Sequence, residues 1–116
     1  MRELIKVFKA LSDETRIRML ELLSQGELCV CEIMQALEIS QTRASRNLGI
    51  LRDAGLLQDR RDGQWVHYSV RKEVATEYLK LLELVTSLLK EDQTLVEDKK
   101  RLKMAVKIEG HGKRIC

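Results

Sequence analysis

The chain has 116 residues, enough for one folded domain with a tail, and it carries 34% charged residues with a net charge of +3. No apolar run approaches the ~18 residues of a membrane span, and the charged start MRELIKVFKAL is unlike a secretory signal. Three cysteines make an odd set with no stapled framework, so the expectation is a cytoplasmic protein with reduced thiols open to metal or redox chemistry.

The chain contains no proline, which favours a mostly helical fold. Leu4, Phe8 and Leu11 fall at helical spacing and predict a first helix over 2–11. Ser12-Asp13 is an N-cap signal for a second helix with Ile17, Leu20 and Leu23 inward, ended at Gly26. A short third helix is expected from about Val30 to Leu37, with Ile33 and Leu37 on one face. After the tight link Glu38-Ile39-Ser40, Ser40 caps a fourth helix from Gln41 to about Ala54, with Ala44, Leu48 and Leu51 inward and Gly55 as its C′ glycine.

The stretch LLQDRRDGQWVHYSV reads as a hairpin turning at Asp62-Gly63, with both central residues expected at positive φ. A long helix is expected over about 72–91. Its Val74, Tyr78, Leu81, Val85 and Leu88 step by four, three, four and three residues, a seam read as a dimer interface rather than a helix lying on its own core. Residues 92–116 carry seven basic and four acidic residues, with Leu95, Leu102 and Val106 able to line a weak sixth helix and a mobile end after Gly110 and Gly112. The domain reading is therefore 1–91 for the folded DNA-binding and dimerisation unit and 92–116 for a charged tail with room for a partial helix.

Two short helices joined tightly and followed by a hairpin make a winged helix-turn-helix, a mainly α fold with a small two-stranded wing and a long last helix. Its second helix would enter the major groove of double-stranded DNA with Gln41, Thr42, Arg43, Ser45 and Arg46 leading. Arginine reads guanine, glutamine reads adenine, and Ser or Thr reaches either base or phosphate. Between 40 and 71 the six basic residues are all arginine, against three aspartates. Arg52 joins the candidate contacts, and Arg60 and Arg61 near the wing tip suit phosphate or the minor groove.

The blocks FKALSDETRIRMLELL, ELCVCEI, SQTRASRNLGILRDAGLL and RRDGQWVHYSV stand in one order across residues 4–91. Together they resemble the ArsR/SmtB family of metal-responsive transcriptional repressors. The resemblance implies a homodimer that binds an operator and releases it when metal binds, and it implies no enzyme. The residues agree on that last point, with no phosphate loop, no HExxH and no nucleophile beside a base.

The CxC of Cys29 and Cys31 resembles the arsenic-responsive branch, which often adds a third cysteine three residues on, where this chain has Met34. Trivalent arsenic or antimony as inducer follows from that resemblance, since arsenic(III) is soft and favours thiolates while a thioether is a poor substitute. Cys116 or an exogenous thiol is the candidate third sulfur. In a regular helix residues i and i+2 point about 200° apart, so both thiols can grip one ion only where the helix start is distorted or not helical. A helix N-terminus also favours thiolate. His67 is expected to pack or bond locally in the wing, and His111 lies in the tail. No histidine occurs in 72–91, which argues against a zinc site on that helix. Three alternatives stay open: cadmium, lead or zinc held with Cys116 or His111; a thiol redox sensor or structural DNA-binding protein; and a protein-interaction module built on the long helix and basic tail.

Overall fold

A computed structural model of the chain describes residues 1–106. In chain order it contains α1 (Arg2–Leu11), α2 (Glu14–Leu23), β1 (Leu28–Cys29), α3 (Val30–Leu37), α4 (Gln41–Asp53), β2 (Leu57–Asp62), β3 (Trp65–Val70), α5 (Thr76–Leu88) and α6 (Gln93–Met104). The three strands form one antiparallel sheet in the order β1-β3-β2. The expected two-stranded wing thus gains a third strand, with Leu28 opposite Tyr68 and Cys29 opposite His67.

Local chemistry sets most of the boundaries. The Asp13 carboxylate accepts from Arg16 N at 3.1 Å and starts α2, while Ser40 Oγ accepts from Arg43 N at 3.2 Å and starts α4. At the end of α4, Gly55 takes φ +84. Gly55 N donates to Arg52 O at 2.9 Å and Leu56 N to Leu51 O at 3.1 Å, the paired bonds of a Schellman stop. The wing turns one residue later than expected. Asp62 pairs with Trp65, so Gly63 and Gln64 are the central residues, and only Gly63 has positive φ, at 60. Glycine in the first central place is the type II′ requirement, whereas the expected Asp-Gly centre needs two positive φ values.

The core is aliphatic. Met19, Leu22 and Leu23 from α2, Ile33 from α3, Leu48 and Leu51 from α4, and Leu56 and Leu57 leading into the wing are buried together. Each such side chain contributes about 1.5–3 kcal/mol of transfer free energy. The α1 helix turns a different face inward than its Leu4, Phe8, Leu11 spacing suggests. Val7, Ala10 and Leu11 are buried while Leu4, Ile5 and Phe8 are exposed. Two apolar stripes share this helix, and the one with the small Ala10 packs inside.

The α5 helix is shorter than the expected 72–91. Residues 71–75 form a turn closed by Val74 N to Arg71 O at 3.3 Å, which leaves Val74 outside the helix. At the far end Asp92 Oδ1 accepts from Thr94 N at 2.9 Å and Leu95 N at 3.3 Å, starting α6 instead of prolonging α5. The α6 helix packs against α2 and α3, burying Leu95 and Asp98. His111, Cys116 and the glycines expected to loosen the end lie outside the described residues.

Candidate functional site

The α4 helix follows α3 through a turn whose one strained residue is Glu38, a non-glycine at φ 57, ψ 48. Ala44, Leu48 and Leu51 are fully buried, so α4 lies on the core as its spacing predicts. Gln41, Thr42, Arg43, Ser45 and Arg46 stand exposed along its leading turns. Arg43 also reaches back to α2, donating to Thr15 Oγ1 at 2.9 Å. Among the described residues Arg46 carries no ion pair, and the residue is exposed.

The other arginines of the cluster are held differently. Arg52 pairs with Asp59 at 3.1 Å and donates to the Tyr68 hydroxyl at 3.5 Å. Arg60 forms a two-pronged pair with Glu27 at 2.7 and 2.8 Å. The Asp59 hydrogen bond raises Arg52 above the usual guanidinium pKa, and Glu27 does the same for Arg60. Arg61 is exposed on the wing.

Cys29 and Cys31 meet. Their sulfurs are 2.8 Å apart and both residues are fully buried. Convergence at i and i+2 is possible because Cys29 is not helical. It is the N-cap of α3, extended at φ −74, ψ 148, and forms the end of β1. Only Cys31 has entered the helix. The flanking acids explain themselves structurally. Glu32 Oε1 accepts from Cys29 N at 2.9 Å, closing the first turn of α3, and Glu27 holds Arg60 of the wing. Met34 packs against the core. Among the described residues no group of three donor side chains is gathered for a metal ion.

The seam residues lie as follows. Val74 is in the turn before α5, Tyr78 and Leu81 pack partly on the chain's own core, Val85 is half-buried, and Leu88 is 75% exposed. No α5 residue is buried. Leu79 and Leu84 are exposed beside the seam, as are Leu4, Ile5 and Phe8 of α1. A groove of about 580 Å³ runs between α2 and α5, lined by Ile17, Leu20, Leu82 and Val85 among others.

Three features escaped sequence reasoning. Arg16 donates to Ala10 O at 2.7 Å and to Asn47 Oδ1 at 2.9 Å, tying the end of α1 to the buried flank of α4. Asn47 in turn donates to Arg43 O at 2.9 Å. His67 is buried opposite Cys29, with Nε2 making no hydrogen bond among the described residues and lying 4.0 Å from Asp62. Nothing in the spacing signals the Arg16–Asn47 or His67–Cys29 pairings, because those partners lie in different elements, while Asn47 to Arg43 is an i, i+4 bond within α4.

Comparison with known proteins agrees with this geometry. Residues 13–59 match the family described as bacterial regulatory protein, arsR family. The arsenic resistance transcriptional regulator ArsR1 of Pseudomonas putida is 55% identical over 78 residues, 64% of this chain and 61% of that protein, so the match spans less than two thirds of ArsR1. ArsR2 of the same organism is 48% identical over 98 residues, 84% of each chain. Among solved structures, HlyU from Vibrio cholerae superposes with TM-score 0.69 at 32% identity, covering 78% of this chain and 95% of that one. The homodimeric winged helix-turn-helix domain Mb0332 from Mycobacterium bovis gives 0.66 at 33%, covering 78% and 81%. The antimony-specific transcriptional repressor AntR gives 0.64 at 33%, covering 77% and 78%. With the winged helix-turn-helix, the exposed polar face of α4 and these relatives in agreement, this chain belongs to the ArsR family of DNA-binding transcriptional regulators, which are not enzymes.

Proposed function

We propose that the chain is a homodimeric repressor in the cytoplasm, released from operator DNA by trivalent arsenic or antimony bound to Cys29 and Cys31, with Cys116 as third thiolate. The observation that carries this reading is the meeting of the Cys29 and Cys31 sulfurs at 2.8 Å at the head of α3, the helix just before α4. Because Cys29 is already extended, the pair converges without unwinding a helical turn. The strain expected from the CxC spacing is therefore not needed for the pair to form; displacement must come from opening the two sulfurs around an ion and recruiting a third. Val106 is bonded to Gln35, four residues past Cys31. The ten residues after Val106 can span up to about 33–36 Å, so Cys116 is within reach of the pair. The arsenic resistance relatives and the antimony repressor AntR support the class of inducer.

On DNA, Gln41, Thr42, Arg43, Ser45 and Arg46 read the major groove, with Arg46 the candidate base reader, while Arg61 meets phosphate. Arg52 and Arg60 must be shared with Asp59 and Glu27 in order to contribute. Val74, Tyr78, Leu81, Val85 and Leu88, together with Leu84 and the outward stripe of α1, form the dimer face.

The test is an operator-release titration under reducing conditions with arsenite, antimonite, cadmium, lead and zinc. Arsenite and antimonite are expected to release the parent protein. Cys29→Ser and Cys31→Ser should bind operator normally and lose release. Cys116→Ser should respond only at higher arsenite or with added thiol. Release by cadmium, lead or zinc alone would change the inducer, and normal arsenite response in both Cys29→Ser and Cys31→Ser would end the sensory reading.

A further inference from the structure

The α6 helix holds α3 at two places. At the far end of α3, Arg101 Nε donates to Ala36 O at 2.6 Å and Arg18 Nη2 to Leu37 O at 3.4 Å. These are carbonyls of the last turn, which have no partner within the helix, and cations there also suit its dipole. Both guanidiniums are fixed by one fully buried carboxylate. Asp98 Oδ1 accepts from Arg101 Nη2 and Arg18 Nη2, each at 2.8 Å, and Oδ2 accepts from Arg18 Nε at 2.9 Å. Arg101 Nη1 also lies 3.8 Å from Glu38 Oε1, on the strained turn that launches α4.

The second hold lies on the cysteine side. The Gln35 amide donates to Cys31 O at 3.0 Å and to Val106 O at 2.7 Å, and its Oε1 accepts from Val106 N at 3.2 Å. One side chain therefore joins the backbone of Cys31 to the segment that leaves α6. Beginning at the cysteine pair, a continuous path runs through Gln35 and Val106 into α6, then through Arg101 to Ala36 and Glu38 at the root of α4.

A path alone does not make a coupling element; it needs two discrete states. Asp98 supplies them. A buried carboxylate shared by two guanidiniums has no favourable intermediate position, since any partial slide leaves charge unpaired in a poorly solvated place. The structure shows α6 docked with the triad closed; the alternative that the coupling requires is α6 released with the triad in water.

We infer that α6 is a coupling strut, with Gln35 and Arg101 as positioning residues that carry occupancy of the Cys29–Cys31 pair to the turn at Glu38 and so to the angle of α4. This rests on the inducer reading above. An ion that opens the sulfur pair displaces the Cys31 carbonyl, loosens the Gln35–Val106 clamp and favours the undocked state of α6.

The experiment uses the full-length protein. Operator affinity is measured with and without saturating arsenite for the parent, Gln35→Met and Arg101→Gln. Asp98 keeps both bonds to Arg18 in Arg101→Gln, so that variant is expected to fold. Each variant removes a contact that keeps α6 docked, so each should bind operator more weakly than the parent without arsenite while still binding arsenite, read by arsenic–sulfur absorbance. The ratio of affinities should fall by at least about fivefold in each. The double variant should fall little further, because the two residues lie on one path. Should Arg101→Gln fail to fold, Arg101→Lys keeps the charge and loses the fork, with the same drop expected. A parent-like ratio in the folded variants, with only the melting temperature lowered, overturns the strut and leaves α6 a stabiliser. A parent that never releases operator overturns the inducer reading instead.

Discussion

The helices α5 and α6 follow one another and are nearly equal in length, 13 and 12 residues, yet their sequences and their burial run opposite ways. The α5 sequence TEYLKLLELVTSL is rich in leucine, yet none of its residues is fully buried and only Tyr78, Leu81 and Leu82 pack partly on the core. The α6 sequence QTLVEDKKRLKM is dense in charge and contains a fully buried aspartate. Apolar content therefore marks where a helix needs a partner, without saying that the partner is in the same chain. Charge content does not mark solvent when the counter-charges are built into the core. The α5 helix offers a surface outward, and α6 completes the inside.

The sharpest way to break this contrast is Asp98→Ala. It leaves Arg18 and Arg101 without their shared carboxylate, and removing one side of a buried ion set costs about 3–5 kcal/mol. Urea unfolding should show that loss, and a cost under 1 kcal/mol would mean that α6 is a surface helix after all. The complementary test on α5 is the pair Leu84→Glu and Leu88→Glu, at positions 56% and 75% exposed. On the proposed dimer this should leave a folded monomer at concentrations where the parent sediments as a dimer. A variant that remains dimeric moves the interface off α5.

Smaller effects separate the kinds of charge within α6. Lys99 pairs with Glu21 at 2.6 Å, but its side chain is 47% exposed. Lys99→Ala leaves the Glu21 carboxylate, whose side chain is only 7% exposed, without that cation, so it should cost about 1–3 kcal/mol, only weakly reduced in 1 M salt. Lys100 lies 3.6 Å from Glu97 with both in solvent. Lys100→Ala should move stability by only about 0.2–0.5 kcal/mol, checked by a melting temperature nearly equal to the parent's.

The reading head was largely legible in the sequence because its signals are local. Ser40, Gly55 and the apolar triplet Ala44, Leu48 and Leu51 each act within a few residues, and they bound α4 to within a residue of its observed end. The wing was placed correctly and its turn missed by one residue, since Asp-Gly and Gly-Gln centres both put Gly63 at positive φ. The meeting of Cys29 and Cys31 was legible only as a condition, that one of them leave the helix. It is met by the pairing of Cys29 with His67, 38 residues away, which no spacing rule shows. The docking of α6 was least legible, because its key buried residue is polar and answers to an arginine in α2.

Arg18 and Asp98 are 80 residues apart. At the ~5–20 residues per second of protein synthesis, about 4–16 s separate their appearance. Until then Arg18 has a weaker attraction to Glu14, one turn before it on the same helix. Several pairings of the helix-turn-helix and wing, Arg16 with Asp13, Arg43 with Thr15 and β2 with β3, fall between residues 13 and 70 and can form while α6 is still being made. Each newly made copy thus has its reading head before its brace, and ribosomes that stop short of Asp98 leave that head with an arginine still waiting for its charge.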